Sequence, residues 1–418
     1  MTGQGLVQLL SLSIGLLLLR WLSVDNYAQF SVAFGFQTTL SLLTDLGFSG
    51  TIIALVGPRG NNPKVVGSYI RSGRHLRSVM LVCLTPVAAV VYVGIAREHH
   101  WGILTSSLLF LSIIASIYFT GMVSYHGAPL LIRGRLSHYY RHQMAGASFR
   151  LVASGLLYVT GGLYAWTTSW VNALGFLLIG WLNARESHPF AELPAQPIPE
   201  VTRQMVRYVT PNLPSMIFFA LQGQFSLFLI SFFGQTRSIA EVGALGRLGQ
   251  IFILISGFNG AVIEPFIARL PKERVLRSYL TVLAAASAIA GVVVCFGFLE
   301  PRPFLLLLGA KYASLRKEIG WLVLGSSCSY LVSVVLTMNV ARRWVYWTTS
   351  WVTIGLIIAT QIVFLCLFKM DSTIHVIYFG AANSIAYLVA CLFNSVYGYI
   401  RGPRIQIPEI TSAALIVD

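Results

Sequence analysis

The stretch "AQFSVAFGFQTTLSLLTDLGFSGTIIALV", residues 28–56, decides how the chain must be interpreted. It stays apolar for longer than the roughly 20 residues that a helix needs to cross the hydrocarbon core of a bilayer. It nevertheless contains one carboxylate, Asp45, at a position that a single helix would hold deep in the membrane. A charge at that depth costs about 2.5–3.5 kcal/mol on insertion scales, so Asp45 needs a partner or a function.

The composition of the whole chain indicates a membrane protein. Of its 418 residues 56% are hydrophobic and 10% are charged, and the mean hydropathy is +0.73. A soluble domain carries about 25% charged residues. The chain has 29 Lys plus Arg against 14 Asp plus Glu, a formal net charge of +15. In a polytopic membrane protein such an excess belongs to cytoplasmic loops, so nucleic acid is not an expected partner.

Apolar runs of spanning length recur along the chain and predict an all-α, polytopic membrane protein with twelve transmembrane helices. The longest polar connector divides them into two six-helix bundles, a plan common among transporters. We therefore predict an N-terminal bundle over 1–184, a cytoplasmic linker over 185–204, a C-terminal bundle over 205–400 and a cytoplasmic tail over 401–418. The predicted spans are 3–19, 28–56, 76–96, 103–124, 146–164, 165–184, 209–233, 242–265, 278–299, 319–340, 347–368 and 376–399.

The basic residues outside the spans predict the orientation. With the N-terminus inside, the cytoplasmic loops and tail carry nineteen Lys and Arg, and the opposite loops carry eight. This asymmetry predicts that the N-terminus and the C-terminus both lie in the cytoplasm. The loop over 300–318 holds four of the eight and is the main exception.

Sequence signatures of catalysis are missing from the chain. It has no G-x-S-x-G, H-E-x-x-H, Walker or strand-associated G-x-G-x-x-G motif, and no extramembrane segment long enough for a catalytic domain. We expect no enzyme activity, no metal site and no cofactor, and we leave open a coupling H+ or Na+.

Polar residues inside the predicted spans are the candidates for function. They cannot all face lipid, so they either bond between helices or line a hydrated interior. For a single amide the bond between helices is the commoner arrangement, whereas we interpret the two arginines as lining a cavity. The candidate substrate-binding residues are Arg150, Arg247, Gln37, Gln222 and Asn259, and the candidate coupling or structural carboxylates are Asp45 and Glu264.

Prolines mark possible bends in the second half. Pro211 and Pro214 open the span over 209–233, and Pro265 directly follows Glu264. Proline removes a backbone donor and kinks a helix, so these three are candidate hinges for alternating access or fixed kinks that shape packing.

Asp45 has three possible roles. It is the partner of a buried arginine, the carrier of a coupling ion, or a polar cap where an over-long helix breaks at Gly47. Glycine permits such a bend. We favour a structural role because breaking a buried ion pair costs about 3–5 kcal/mol.

The segment "LLRWLSVDNYAQFSVAFGFQTTLSLLTDLGF" (18–48) resembles the first hairpin of the Wzx-type polysaccharide transporters, the lipid-linked oligosaccharide flippases of the MOP superfamily. The similar features are Arg20, the run "YAQF" (27–30) and "DLG" (45–47). In the second half "EVGALGRLGQIF" (241–252) and "LLLLGAKY" (305–312) also look similar. The resemblance covers nearly the whole chain in order and spacing.

The resemblance implies two bundles around a central, cationic cavity. It implies a transporter in the bacterial inner membrane that flips an undecaprenyl-diphosphate-linked oligosaccharide repeat unit by alternating access, for O-antigen, capsule or exopolysaccharide synthesis. The implied partners are this lipid-linked oligosaccharide, membrane lipid, and a polysaccharide polymerase with other assembly proteins. Buried arginines suit a diphosphate, because a guanidinium binds phosphate oxygens in a bidentate manner.

Two other functions compete with this one. A cation-coupled multidrug exporter of the same superfamily should prefer acids in its cavity, whereas arginines are at least as prominent here. A membrane polymerase or ligase acting on lipid-linked sugars should have a large external loop with catalytic groups. The longest external loop, near 300–318, has no histidine and two acids.

The charge asymmetry makes a testable prediction about topology. Reporter fusions at Gly60 and Glu192 should report the cytoplasm, and fusions at His99 and Arg316 should report the outside. A cytoplasmic signal at Arg316 would contradict the twelve-helix topology in the second half of the chain.

Overall fold

The computed structural model describes residues 2–56, 60–210, 213–268, 270, 272–342, 344, 346–370 and 372–402. These residues form helices and connecting turns, with no strand among them. The helices are α1 (Thr2–Trp21), α2 (Val24–Asp45), α3 (Phe48–Val56), α4 (Pro63–Glu98), α5 (Ile103–Ile132), α6 (Leu136–Val159), α7 (Ala165–Ser187), α8 (Pro199–Val209), α9 (Leu213–Gln222), α10 (Phe225–Phe233), α11 (Thr236–Ala268), α12 (Lys272–Leu299), α13 (Arg302–Leu308), α14 (Arg316–Ala341), α15 (Trp347–Leu367) and α16 (Thr373–Arg401).

The predicted spans correspond closely to these helices. Ten of the twelve predicted spans each match one helix, and the other two are each divided between two helices. By length and composition six described helices can cross a membrane alone, and the bent pair α9–α10 makes a seventh. The chain is therefore a multi-pass membrane protein, and the predicted all-α fold class is confirmed.

The chain packs as two compact units, each with its own apolar core. Unit 1 comprises Met1–Leu248, Arg302–Arg316 and Lys369–Val376, and unit 2 comprises the intervening segments and the remainder. The predicted domain boundaries, including the linker over 185–204 and the cytoplasmic tail, stay a prediction. Positions 403–418 of that tail lie outside the described residues.

The prediction of one helix over 28–56 is wrong, because the backbone reverses its handedness in the middle of the run. Leu46 has a φ of 41° and Gly47 a φ of 80°. A right-handed helix cannot continue through left-handed residues, so α2 ends at Asp45 and α3 begins at Phe48. The Leu46 amide still donates to the Leu42 carbonyl over 2.8 Å, which closes the last turn of α2. The break that the sequence suggested at Gly47 is confirmed.

The second divided span bends after its prolines. Helices α9 and α10 meet at an angle of 48° around Gly223 and Gln224. Pro214 is the second residue of α9. Backbone N–H groups in the first turn of a helix have no acceptor within the helix, so a proline there breaks no hydrogen bond. Pro211 lies outside the described residues, and α11 continues through position 265. The hinge role of the three prolines stays a prediction.

Helix α4 begins earlier than the apolar run predicts. Asn62 caps its first turn by accepting the Lys64 amide over 3.0 Å, and Pro63 occupies the first helical position. The helix has 36 residues, about 54 Å at 1.5 Å per residue. The nineteen basic residues counted above in cytoplasmic loops and tail include Arg71, Arg74 and Arg77, and their assignment to a loop is wrong, because all three lie within α4. These arginines repeat every three residues and lie near one face of α4.

Two of the glycines in "GALGRLG" (243–249) have different surroundings: Gly243 lies against α2, whereas Gly246 has free space around it. A Cβ on Gly243 would lie 2.4 Å from Ser31 Oγ, whereas a Cβ on Gly246 would meet nothing within 4 Å. Tyr27 also donates its hydroxyl to the Gly243 carbonyl over 3.3 Å. Gly243 thus lets α11 approach α2 closely, as the spacing of small residues suggests.

Replacing Gly243 with alanine should separate α2 from α11. We expect Gly243→Ala to lower stability by about 1–3 kcal/mol through overpacking, seen as a lower thermal midpoint in detergent micelles. Gly246→Ala is the matched control and should be neutral or slightly stabilising, because alanine favours helix. Equal midpoints for the two variants would contradict this close contact.

Candidate functional site

One face of α2 carries the contacts of three arginines of unit 1, namely Arg77, Arg150 and Arg247. Phe30, Phe34, Gln37, Ser41 and Asp45 follow one another at intervals of four, three, four and four residues. Side chains at this spacing lie on the same side of a helix. From Phe30 to Asp45 the face rises through 15 residue steps, about 22 Å along the axis, which is most of a hydrocarbon core of about 30 Å. We call these five residues the α2 face.

The C-terminal end of the α2 face holds an ion pair. Arg77 Nη1 lies 3.2 Å from Asp45 Oδ1, and the two side chains are 6% and 18% exposed. The Tyr125 hydroxyl donates to the same carboxylate oxygen over 3.2 Å, and the Ser49 hydroxyl donates to the other over 2.7 Å. Both carboxylate oxygens are therefore satisfied, as burial of a charge requires.

Arg77 is also bonded beyond the carboxylate. Its Nη2 donates to Ser41 Oγ over 3.1 Å and to the Ile117 carbonyl over 3.0 Å. The pair thus ties α2 to α4 and α5, and Ser49 adds α3. Of the three roles considered for Asp45, the structure gives it an arginine partner at the end of a broken helix. A coupling role stays a prediction.

The middle of the α2 face reaches Arg150 through an amide. Arg150 Nη1 donates to Asn172 Oδ1 over 3.1 Å, and Asn172 Nδ2 donates to Gln37 Oε1 over 2.8 Å. The guanidinium also stands 5.1 Å from the centre of the Phe176 ring. The predicted span over 146–164 would place Arg150 in its first turns, which is wrong, because α6 begins at Leu136 and Arg150 lies four turns into it.

The N-terminal end of the α2 face contacts Arg247 of α11. Its guanidinium carbon lies 4.2 Å from the centre of the Phe34 ring and 5.8 Å from that of Phe30. The residue is 8% exposed, and Gly15 of α1 gives its aliphatic part room, since a Cβ there would lie 3.3 Å from Arg247 Cδ. A cation over aromatic faces gains about 0.5–2 kcal/mol while keeping its hydrogen-bond donors.

The three arginines differ in their charge balance. Arg77 has a carboxylate partner, whereas neither Arg150 nor Arg247 is paired with a carboxylate among the described residues. Amides and rings leave the positive charges of these two arginines uncompensated within this part of the chain. Guanidinium groups in such surroundings are suited to bind an anion, above all phosphate.

The other candidate residues lie apart from the α2 face. Asn259 is buried in unit 2 and donates to Ser333 Oγ over 3.1 Å, which is a bond between helices. Gln222 is the last residue of α9, beside its bend towards α10. Glu264 lies on α11, and its side chain is outside the described part of the structure.

The residues that resemble the transporter family hold a turn in place within unit 1. Arg20 Nη2 donates to the Leu306 carbonyl, and Lys311 Nζ donates to the carbonyls of Arg20 and Leu22 over 2.8 and 2.6 Å. Desolvation lowers the pKa of the Lys311 ammonium. These contacts fasten the segment over 302–312 to the end of α1, which is a structural role.

Comparison with solved structures finds the same fold in membrane transporters. An inward-facing multidrug resistance MATE family transporter of the MOP superfamily matches with a TM-score of 0.65 and 15% identity, over 95% of this chain and 98% of that one. The lipid II flippase MurJ, in an inward closed conformation, matches with a TM-score of 0.71 and 14% identity, over 96% and 88%. An outward-facing MATE transporter matches with a TM-score of 0.56.

No protein-family model matches the sequence, and no curated protein matches it either. The likeness is therefore one of fold, at an identity of 15% or less in these three cases. The chain has the fold of MOP-superfamily transporters, which agrees with the superfamily that the sequence resembles.

The Asp45–Arg77 pair can be tested by its effect on stability. Arg77→Ala leaves a half-buried carboxylate without its cation, so we expect a loss of up to about 3–5 kcal/mol, the cost of breaking a buried pair, seen as a lower thermal midpoint in detergent micelles. The double variant Asp45→Asn/Arg77→Ala should lose less than the sum of the single variants. The control is Arg135→Ala, which breaks the exposed pair with Glu186 at 3.1 Å and should cost less than about 1 kcal/mol.

Two outcomes would contradict a structural role for the pair. The first is a loss for Arg77→Ala no larger than that for Arg135→Ala. The second comes from reconstituted protein, when transport across a pH gradient is normalised to folded protein. An Asp45→Asn variant that folds normally but loses its dependence on the gradient would make Asp45 a coupling carboxylate.

Proposed function

We propose that this protein flips an undecaprenyl-diphosphate-linked oligosaccharide repeat unit across the cytoplasmic membrane by alternating access, for surface polysaccharide synthesis. One observation carries the proposal. Two arginines of unit 1 have no carboxylate partner among the described residues: Arg247, which is buried and contacts the α2 face directly, and Arg150, which is half-buried and reaches the same face through Asn172.

The substrate that fits these groups is anionic at one point and polar beyond it. A diphosphate supplies oxygens for the two guanidinium groups. Sugar hydroxyls both donate and accept, so amides such as Gln37 and Asn172 suit them, and aromatic faces such as Phe176 suit the apolar sides of sugar rings. The polyprenyl tail needs no polar partner and stays in the bilayer during the passage.

The length of the α2 face also supports a path for a charged head group. The positions that Arg247 and Arg150 approach, Phe34 and Gln37, are three residues apart, or about 4.5 Å along the helix. Along α2 the two arginines therefore reach one face within one turn, Arg247 directly and Arg150 through Asn172, which supports successive contacts with one charged head group. The lipid II flippase MurJ shows that this fold serves a flippase of a lipid substrate.

A multidrug exporter is the second candidate, since MATE transporters share the fold over almost their whole length. An exporter of cationic drugs needs a carboxylate that is free to bind them. Asp45 is engaged by Arg77, Tyr125 and Ser49, which weighs against that role for this carboxylate. The proposal allows coupling of transport to H+ or Na+ through Asp45 or Glu264.

The two arginines provide the test of the proposal. We expect Arg150→Ala and Arg247→Ala each to reduce surface polysaccharide at least tenfold at normal protein abundance, because each removes a charge-assisted contact to phosphate. Lysine at either position keeps the charge but loses the planar fork, so it should restore export only in part. The measurement is surface polymer per membrane-inserted protein.

The matched control is Arg185→Ala. Arg185 also stands over an aromatic ring, 5.8 Å from the centre of Trp181, but it is exposed at the end of α7. This variant should export polymer like the parent protein. Normal export by both alanine variants of the buried arginines would overturn the proposal, and so would wild-type transport of a cationic dye in place of the lipid-linked sugar.

A further inference from the structure

A pocket opens in unit 1 beside the turn that joins α4 to α5, and none of the five residues of the α2 face lines it. Its volume is about 1050 Å³ when the space open to the outside is included. The lining is mostly apolar, from Ala89, Val93, Phe110 and Leu111 among others. Neither the resemblance to transporters nor the proposed function assigns it a role.

Three polar groups of this pocket have no partner in the described part of the chain. They are the Tyr92 hydroxyl, the Trp101 indole nitrogen and the Ser106 hydroxyl, and all three atoms are buried. Tyr92 as a residue is 1% exposed. A buried polar group without a hydrogen bond costs about 1–3 kcal/mol, so three in one pocket indicate a ligand that completes them.

All three orphan groups can donate a hydrogen bond, and the indole nitrogen can only donate. Arg97, which also lines the pocket, is exposed and makes no side-chain hydrogen bond to a described residue. The polar side of the pocket therefore offers donors and one positive charge. A fitting ligand presents acceptor oxygens and a negative charge.

Aromatic contacts and one hydrogen bond hold the walls of the pocket together. The Tyr92 ring packs against Phe110 at 5.5 Å and against Trp101 at 6.3 Å between centroids. His99 stacks on Trp101 at 5.8 Å and bonds the Ser231 carbonyl over 2.8 Å. The indole thus packs on a histidine that is bonded to the end of α10.

The outer rim of the pocket has the character of a lipid-facing surface. Ile103 is 87% exposed, Leu111 56% and Val93 45%. Together with the neighbouring Val90, at 74%, they form an apolar surface on helices that are long enough to cross a membrane. An acyl chain can enter the cleft from this side without leaving the bilayer.

We propose that this pocket binds one glycerophospholipid with an anionic head group. The acyl chain occupies the apolar cleft, the ester and phosphodiester oxygens accept from Tyr92, Trp101 and Ser106, and Arg97 pairs with the phosphate. The site stands on its own residues and does not rest on the proposed transport function.

The test is native mass spectrometry of the full-length protein in detergent micelles, titrated with phosphatidylglycerol. We expect one tightly retained lipid on the parent protein. Arg97→Ala should weaken it about tenfold, because a charge-assisted contact is lost. Ala89→Phe fills the cleft and should abolish retention. The matched controls are Arg316→Ala, an exposed arginine outside the pocket, and Val90→Phe, the neighbouring position that faces outward.

Further arms of the experiment separate the possible ligands. Inorganic phosphate in large excess should leave the lipid bound; displacement by phosphate alone would make this a phosphate site and overturn the proposal. Preferential retention of a polyprenyl phosphate over phosphatidylglycerol would make it part of a substrate path and also overturn it. Retention of no lipid by the monodisperse parent protein would overturn the proposal. Equal retention by Arg97→Ala and Arg316→Ala would overturn it as well.

Discussion

A guanidinium and a carboxylate, 3.2 Å apart among apolar helices, impose the constraint on which the architecture of unit 1 depends. Neither charge is tolerable alone in a region of low dielectric, so Asp45 and Arg77 must be brought together. Their pairing brings α2 to α4, and the bonds of Tyr125 and of the Ile117 carbonyl add α5. The break at Leu46 and Gly47 follows directly after Asp45 and turns Ser49 back towards the carboxylate.

From this anchored end, α2 presents one face to three arginines. Its small residues allow other helices to pack closely, and its aromatic residues contact Arg247. Gly35 lies where a Cβ would meet Leu227 of α10 at 2.8 Å, and Ser31 lies against Gly243 of α11. Gly243 precedes Arg247 by about one turn of α11, so the close approach of α11 to α2 brings Arg247 over the Phe34 ring. Packing of small residues on one side of α2 and polar contacts on the other are therefore parts of the same arrangement.

Polar groups in unit 2 are used differently. Tyr279, Asn339 and Ser395 bond to one another, with 2.7 Å between the Tyr279 and Ser395 hydroxyls and 2.9 Å from Ser395 to the Asn339 amide. Asn339 also donates to the Cys391 carbonyl over 3.3 Å. This network is buried and internally satisfied, so it joins helices, as Asn259 does through Ser333. The uncompensated arginines that carry the proposed function lie in unit 1.

The sequence by itself determined where the helices lie and which residues were anomalous. Hydropathy located ten spans as single helices, because the length of an apolar run is a local property that the bilayer thickness selects. The cost of burying charge singled out Asp45, Arg150 and Arg247 for the same reason. Left-handed glycine at position 47 was also foreseeable, since glycine alone adopts that conformation without strain.

Only the tertiary structure decided which polar groups meet. Arg77 was counted with the loop arginines because it stands at the very edge of the predicted span over 76–96, yet the helix that carries it starts at Pro63. Its partner is 32 residues away in the chain. Likewise Asn172 on α7 joins Arg150 on α6 to Gln37 on α2. Such encounters depend on how separate helices pack against one another, and a pattern read along one helix carries no information about the facing side chain of another.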